Sequence, residues 1–198
     1  MLAEMLFPPP PEESSIPADQ AYPDPAKRWM PITQEQLVKA INNLSPYKAP
    51  GPDGVANIVF KRCSSVLVDH LLPVFNAVFT LKTYYDPWRE SITVILRKSG
   101  KPDYTTPKVY RPIALLNTTA KLLSAIVAER TSYILKAHNL LPNTHFGSCP
   151  GRSTTDSLHP FETTVRHAWR QGKVVSALFL DIEGAFPNAV TDRLIHNM

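Results

Sequence analysis

Apolar residues first recur at helical spacing after Thr33. Leu37, Val38, Ile41 and Leu44 make one stripe, Thr33 with Gln36 has the form of a capping box, and Pro46 stops the helix. Lys48-Ala-Pro-Gly-Pro-Asp-Gly54 predicts a rigid turn, because two prolines and two glycines restrict its backbone. Residues 56–70 and 73–82 read as two helices, with Pro73 in the first turn of the second. From Ser91 to Arg97 the period changes to two, with Ile92, Val94 and Leu96 on one side and Thr93, Ile95 and Arg97 on the other, so this is a strand. After the turn at Ser99-Gly-Lys-Pro102, Tyr110 to Leu116 is a second short strand, which Pro112 restricts to an edge or an irregular stretch.

Helical spacing returns with Leu122, Leu123, Ile126, Val127 and Ile134, behind Asn117 or Thr118 as cap. A loop over 138–152 leads to a helix that Ser153 or Thr154 caps, carrying Leu158, Phe161, Val165 and Trp169. Pro160 lies inside that helix and is expected to kink and break it, since it lacks one donor and crowds the preceding turn. Val174 to Asp181 is apolar on both faces, the pattern of a central strand covered on both sides. A turn through Glu183 to Pro187 follows, and Asn188 caps a last short helix. Residues 1–31 have Pro8 to Pro11 in a row and are expected to be an extended or polyproline II leader.

Composition narrows the class. The chain has 198 residues, 43% of them hydrophobic, enough for one core. No apolar run has the length of a membrane span, and Glu4 interrupts a start that has no basic region, so an intracellular, non-secreted protein is expected. Cys63 and Cys149 stand far apart with no histidine at ligand spacing, and read as two reduced thiols rather than a zinc site or disulfide. The net charge of +4 is uneven. Residues 1–31 carry −3, which leaves +7 for the rest, and residues 82–121 hold eight basic side chains against three acids. Such a local excess suits a phosphate-bearing partner, although an ordinary solvated surface has the same signature.

Two places have the residue types for chemistry. Asp181 ends an apolar strand, so its carboxylate would stand on a rigid rim, as a Mg²⁺-dependent phosphoryl-transfer site requires. Gly184 and Ala185 would let a phosphate approach the backbone, and Phe186 would form a flat wall beside it. An aspartate at a strand end is also a common turn-former. A hairpin joining Arg97-Lys98 to Arg111 would hold two or three cations side by side, an arrangement suited to a triphosphate.

Read in order, Lys48-Ala-Pro-Gly-Pro-Asp-Gly54, Ile95-Leu-Arg-Lys-Ser-Gly-Lys-Pro102, Tyr110-Arg-Pro-Ile-Ala-Leu-Leu-Asn117, Phe146-Gly-Ser-Cys-Pro-Gly-Arg-Ser-Thr154 and Phe179-Leu-Asp-Ile-Glu-Gly-Ala-Phe186 resemble the reverse transcriptases of non-LTR, jockey-like retrotransposons, over about residues 32–198. The resemblance implies an α+β fold: an incomplete right-hand polymerase of mostly helical fingers with a short antiparallel hairpin, plus the first palm strand. It divides the chain into the leader 1–31, fingers and the start of the palm over 32–170, and a palm strand and turn over 171–198. It implies nucleotidyl transfer of dNTPs to a DNA primer on an RNA template, with Mg²⁺ in the intact enzyme. Asp181 matches the metal-binding palm aspartate, with the Ile182 carbonyl as a further ligand. Lys98 and Arg111 match the cations that hold the triphosphate, Ala185 a backbone donor to it, Phe186 the gate against the 2′-OH, and Arg152 and Ser153 a turn on the template side. The cations and Asp181 are then expected to face one cleft.

Three departures stand against the pattern. The chain reaches Met198 without a second palm motif bearing paired aspartates, so it is expected to be a fragment that is inactive alone. Ser148 and Cys149 replace a usual Gly and Arg, and Pro160 an apolar helix former, as in a decaying copy. Two other functions compete with a polymerase fragment. One is a non-catalytic nucleic-acid-binding remnant. The other is an interaction protein that works through its proline tract. The resemblance implies no membrane partner and leaves the oligomeric state open.

Overall fold

The computed structural model describes residues 6–9, 16–17, 19–22, 29–182, 185 and 188–196. Two compact units emerge from the packing. One comprises Met1–Ala128 with Gly184–Met198, the other Glu129–Glu183.

The first unit is built on α1 (Gln34–Asn43), α2 (Asn57–Arg62) and α3 (Ser64–Thr80), followed by the hairpin of β1 (Ser91–Arg97) and β2 (Tyr110–Leu116) and the first half of α4 (Thr118–Ala137). The expected capping box starts α1: the Thr33 hydroxyl accepts from the Gln36 N–H, and the Gln36 side chain accepts from the Thr33 N–H at 3.2 Å. Leu37 and Ile41 are fully buried, and Val38 and Leu44 pack partly against the same core. Phe60, Val68, Phe75, Trp88, Leu122, Leu123 and Ile126 complete it. The Trp88 ring takes edge contacts from Phe75, Tyr84 and Tyr85, with centroids 5.7–5.8 Å away.

Order begins earlier than Thr33. Ile32 is 2% exposed, and the Asn76 side chain holds its backbone from both sides, accepting from its N–H at 2.7 Å and donating to its carbonyl at 3.1 Å. Trp29 stacks on Phe79 at 3.6 Å between centroids. Large apolar side chains at the end of the leader therefore tie it to α3. Pro8 and Pro9 have no regular structure, while Pro10 and Pro11 lie outside the described residues.

The break between the two middle helices falls at Cys63, not near Pro73, and Pro73 lies inside α3. A proline there removes only the bond to the carbonyl four residues back. Burial of Val68 and Phe75 on either side holds the helix through it. The hairpin has the expected strands. They pair antiparallel from Ser91↔Leu116 to Arg97↔Tyr110, with Pro112 opposite Ile95.

The second unit contains the end of α4 and α5 (Thr154–Arg170). Ser153 is the cap: its hydroxyl accepts from the Asp156 N–H at 3.2 Å, and Asp156 accepts in return from the Ser153 N–H at 2.7 Å. Helix α5 runs unbroken across Pro160, contrary to the expected interruption. One bond is lost, but the capping box fixes the turn before it, and beyond it the Thr164 hydroxyl donates to the Pro160 carbonyl at 2.8 Å. The expected strand 174–181 is absent. Residues 173–182 have no regular structure, and the two-stranded sheet of the first unit is complete in β1 and β2. A strand exists through its ladder, and no described segment pairs with this one. Val174, Leu178, Phe179 and Leu180 are each more than four-fifths exposed. A short helix α6 (Thr191–His196) follows Asn188 in the first unit.

Candidate active site

Side-chain alternation along the hairpin decides where its cations stand. Leu96 pairs with Arg111, and the ladder runs one bond past β1, from the Lys98 N–H to the Val109 carbonyl at 2.8 Å. Lys98 and Arg111 therefore share the face of Val94 and Leu96 as diagonal neighbours, about 7–8 Å apart at the backbone. Arg97 is on the other face, where its guanidinium lies 5.2 Å from the Tyr104 ring centroid. Of the two or three cations expected side by side, the register thus groups Lys98 and Arg111. The Lys98 ammonium donates to the Lys108 carbonyl at 2.6 Å, and Tyr104 donates to the Lys98 carbonyl at 2.9 Å. The turn between the strands is tied further by Asp103, whose carboxyl is held below its usual range by the Thr105 hydroxyl and the Thr105 N–H.

Behind β2, the Lys48–Gly54 turn and the Asn117-Thr118 step interlock. Gly51 lies directly on the backbone there, since a Cβ at this position would stand 2.3 Å from the Leu116 carbonyl carbon and 2.4 Å from the Asn117 nitrogen. Asn117 accepts from the Asp53 N–H at 3.0 Å and donates to the Pro87 carbonyl at 3.1 Å. The fully buried Thr118 hydroxyl has its one proton between two acceptors, Asn57 Oδ1 at 2.9 Å and the Val55 carbonyl at 3.1 Å. Asn57 in turn donates to the Ser45 carbonyl at 2.8 Å. This buried polar junction anchors the base of the hairpin. The sequence offered Asn117 and Thr118 only as helix caps, because their partners lie 30 to 64 residues away.

In the second unit the Asp181 carboxylate is exposed and accepts from the Ile182 N–H at 2.9 Å. It is a hard oxygen donor suited to Mg²⁺, and the Ile182 carbonyl is another. That fit is partial, because among the described residues no group of three acidic, histidine or cysteine side chains could hold a metal ion. Ala185 is exposed, whereas Glu183, Gly184 and Phe186 lie outside the described residues. Arg152 donates through Nη1 to the carbonyls of Asn143, at 2.7 Å, and His145, and its guanidinium lies 5.2 Å from the Phe146 ring centroid. Arg152 and Ser153 therefore hold the entry to α5 together.

The reverse transcriptase (RNA-dependent DNA polymerase) family matches residues 96–198, from the end of β1 onwards. The chain is 31% identical over 165 residues to the probable RNA-directed DNA polymerase from transposon BS of Drosophila melanogaster, covering 83% of this chain and 18% of that protein. It is 32% identical over 174 residues to its counterpart from transposon X-element of the same fly, covering 84% and 18%. Against the RNA-directed DNA polymerase from mobile element jockey of Drosophila funebris, 26% identity extends over 197 residues, 99% of this chain and 19% of the relative. The chain thus spans less than one fifth of the length of these relatives. With a family match over half its length and relatives 31–32% identical over more than four-fifths of it, the chain belongs to the reverse transcriptase family, among the jockey-like RNA-directed DNA polymerases of non-LTR retrotransposons.

Proposed function

We propose that this chain supplies the fingers and the first metal-binding carboxylate of an RNA-directed DNA polymerase that adds dNTPs to a DNA primer on an RNA template. The register that puts Lys98 and Arg111 on one hairpin face carries the reading. Two cations fixed at that separation can both reach the phosphates of one nucleotide, and a hairpin braced at its base keeps them aligned. Asp181 and the Ile182 carbonyl would hold Mg²⁺, which in such enzymes stabilises charge on the reacting and leaving oxygens. Ala185 would offer a backbone donor to the triphosphate, Phe186 would exclude a 2′-OH, and Arg152 with Ser153 would lie along the template. In this reading the residues 1–31 are a leader to the fingers and 171–198 belong to the palm.

Binding of a fluorescent dATP analogue to the chain tests the proposal. Lys98→Ala and Arg111→Ala should each weaken binding about tenfold, the loss of one charge-assisted contact. Lys101→Ala, in the turn between the strands, should leave it unchanged. Equal effects from all three would reduce the hairpin to general charge attraction. Primer extension by this chain alone should be absent, because a two-metal site needs more than one carboxylate.

A further inference from the structure

We propose that a cavity in the second unit, between the end of α4 and the entry to α5, binds a backbone phosphate of single-stranded RNA or DNA. The cavity has a volume of about 280 Å³ and is lined by Lys136, Asn139, Asn143, His145, Cys149 and Arg152 with three apolar neighbours. None of its lining residues is acidic. Two cationic side chains, an imidazole and two carboxamides around one space make an anion site, and its volume readily admits a phosphate group.

Arg152 is pre-set for this role. Nη1 is spent on two loop carbonyls, and the face of the guanidinium lies over Phe146, so Nη2 and Nε keep their N–H donors in a fixed plane. Asn139, at φ 52°, turns the chain at the end of α4, and Lys136 and the loop that follows line one cavity. The loop beyond is closed by the His145 N–H on the Pro142 carbonyl at 2.9 Å and the Arg152 N–H on the Cys149 carbonyl at 3.1 Å. A backbone phosphate is the occupant favoured over a free anion because the cavity is open at the surface of a polynucleotide-copying family member. To that extent the inference rests on the proposed function. It adds Lys136 and His145, which the sequence motifs did not single out, to the residues that grip the strand.

The test is fluorescence anisotropy of a labelled 12-nucleotide oligouridylate with the full chain across a salt series. Lys136→Ala and His145→Ala should each weaken binding about fivefold, and Lys136→Ala should lower the slope of log affinity against log salt by roughly 0.7, the value for one phosphate contact on a single strand. Arg170→Ala removes a charge from outside the cavity and should leave the slope alone. Because Arg152 also braces its loop, its substitution is not used. Amide spectra should show the oligonucleotide shifting Asn139 and Asn143, with inorganic phosphate needing far higher concentration to do the same. Lys136 and His145 variants that match Arg170→Ala, inorganic phosphate binding as well as the oligonucleotide, or no binding by the parent chain would each overturn the inference. Failure of the cavity leaves the dATP effects of Lys98 and Arg111 in place. Failure of the polymerase reading removes those effects whatever the cavity variants do.

Discussion

Gly51 and Gly54 sit in one turn and are needed for different reasons. At Gly51 the obstacle is another stretch of backbone, at the Leu116–Asn117 junction, which cannot swing aside. At Gly54 there is open space, but φ is +68°, a conformation that costs an L residue about 1–2 kcal/mol. Forced overpacking against backbone costs about 1–3 kcal/mol and falls at the upper end where nothing can give. Gly51→Ala should therefore lower the melting midpoint more than Gly54→Ala. It should also disturb the amide signals of Asn117 and Thr118, which Gly54→Ala should leave in place. The reverse order would mean that the close approach is not maintained in solution. The glycines were legible in the sequence as turn-formers, but what Gly51 touches was not, since nothing in residues 48–54 names a partner at 116.

Helix α5 depends on its own local bonds, because it is 17 residues long and has no buried residue. Its capping box holds the Asp156 carboxyl below the usual aspartate range, first through the Ser153 hydroxyl and then through the Ser153 N–H. A carboxyl with a lowered value in the folded state gives its full stabilisation above the ordinary aspartate range, and that stabilisation fades as pH falls through the lowered value. Helicity of α5, followed by amide chemical shifts, should thus be lost on acidification in the acid range and remain flat from neutral pH down to the ordinary aspartate range. Ser153→Ala should lower that helicity throughout, by about 1 kcal/mol of helix stability. Because α5 already runs through Pro160, Pro160→Leu should leave its length unchanged and raise its stability, up to the roughly 3 kcal/mol that a proline costs within a helix. An unchanged melting midpoint would show that the proline is accommodated without strain. Periodicity located this helix and its cap, but it overstated the effect of the proline. One missing bond does not end a helix whose neighbouring turns are already formed.

At the scale of the whole molecule, the apolar segment 174–182 is the main liability. Val174 is 93% exposed and Leu180 84%, in a stretch without a hydrogen-bonded ladder. Exposed apolar chain of this kind promotes association. Sedimentation should show self-association that grows with concentration, and a double change Leu178→Asp with Leu180→Asp should shift the chain towards monomer. A wild-type monomer at all concentrations, unaffected by the double change, would show that the segment is covered in solution. No helix of the described residues is long and apolar enough to cross a membrane.

What the sequence determined by itself was local or ordered along the chain. Period-two alternation located the first hairpin strand, the Thr33–Gln36 pair marked the start of α1, and five motif blocks in succession identified the family. Each of these depends on residues a few positions apart, or on order alone. Tertiary structure decided the rest. Alternation along two strands could not say which cations share a face until the register set Arg111 against Leu96 and left Arg97 on the other side. The apolar run 174–181 had every local feature of a strand, yet a strand is a property of two segments and no described segment pairs with it. Lys136 and His145 reach one cavity because the chain reverses at Asn139, and no spacing rule connects a helix end to a loop nine residues on. Contacts made across sequence distance have no local signature, because the energy that selects them is the burial and pairing of groups the chain brings together only when folded.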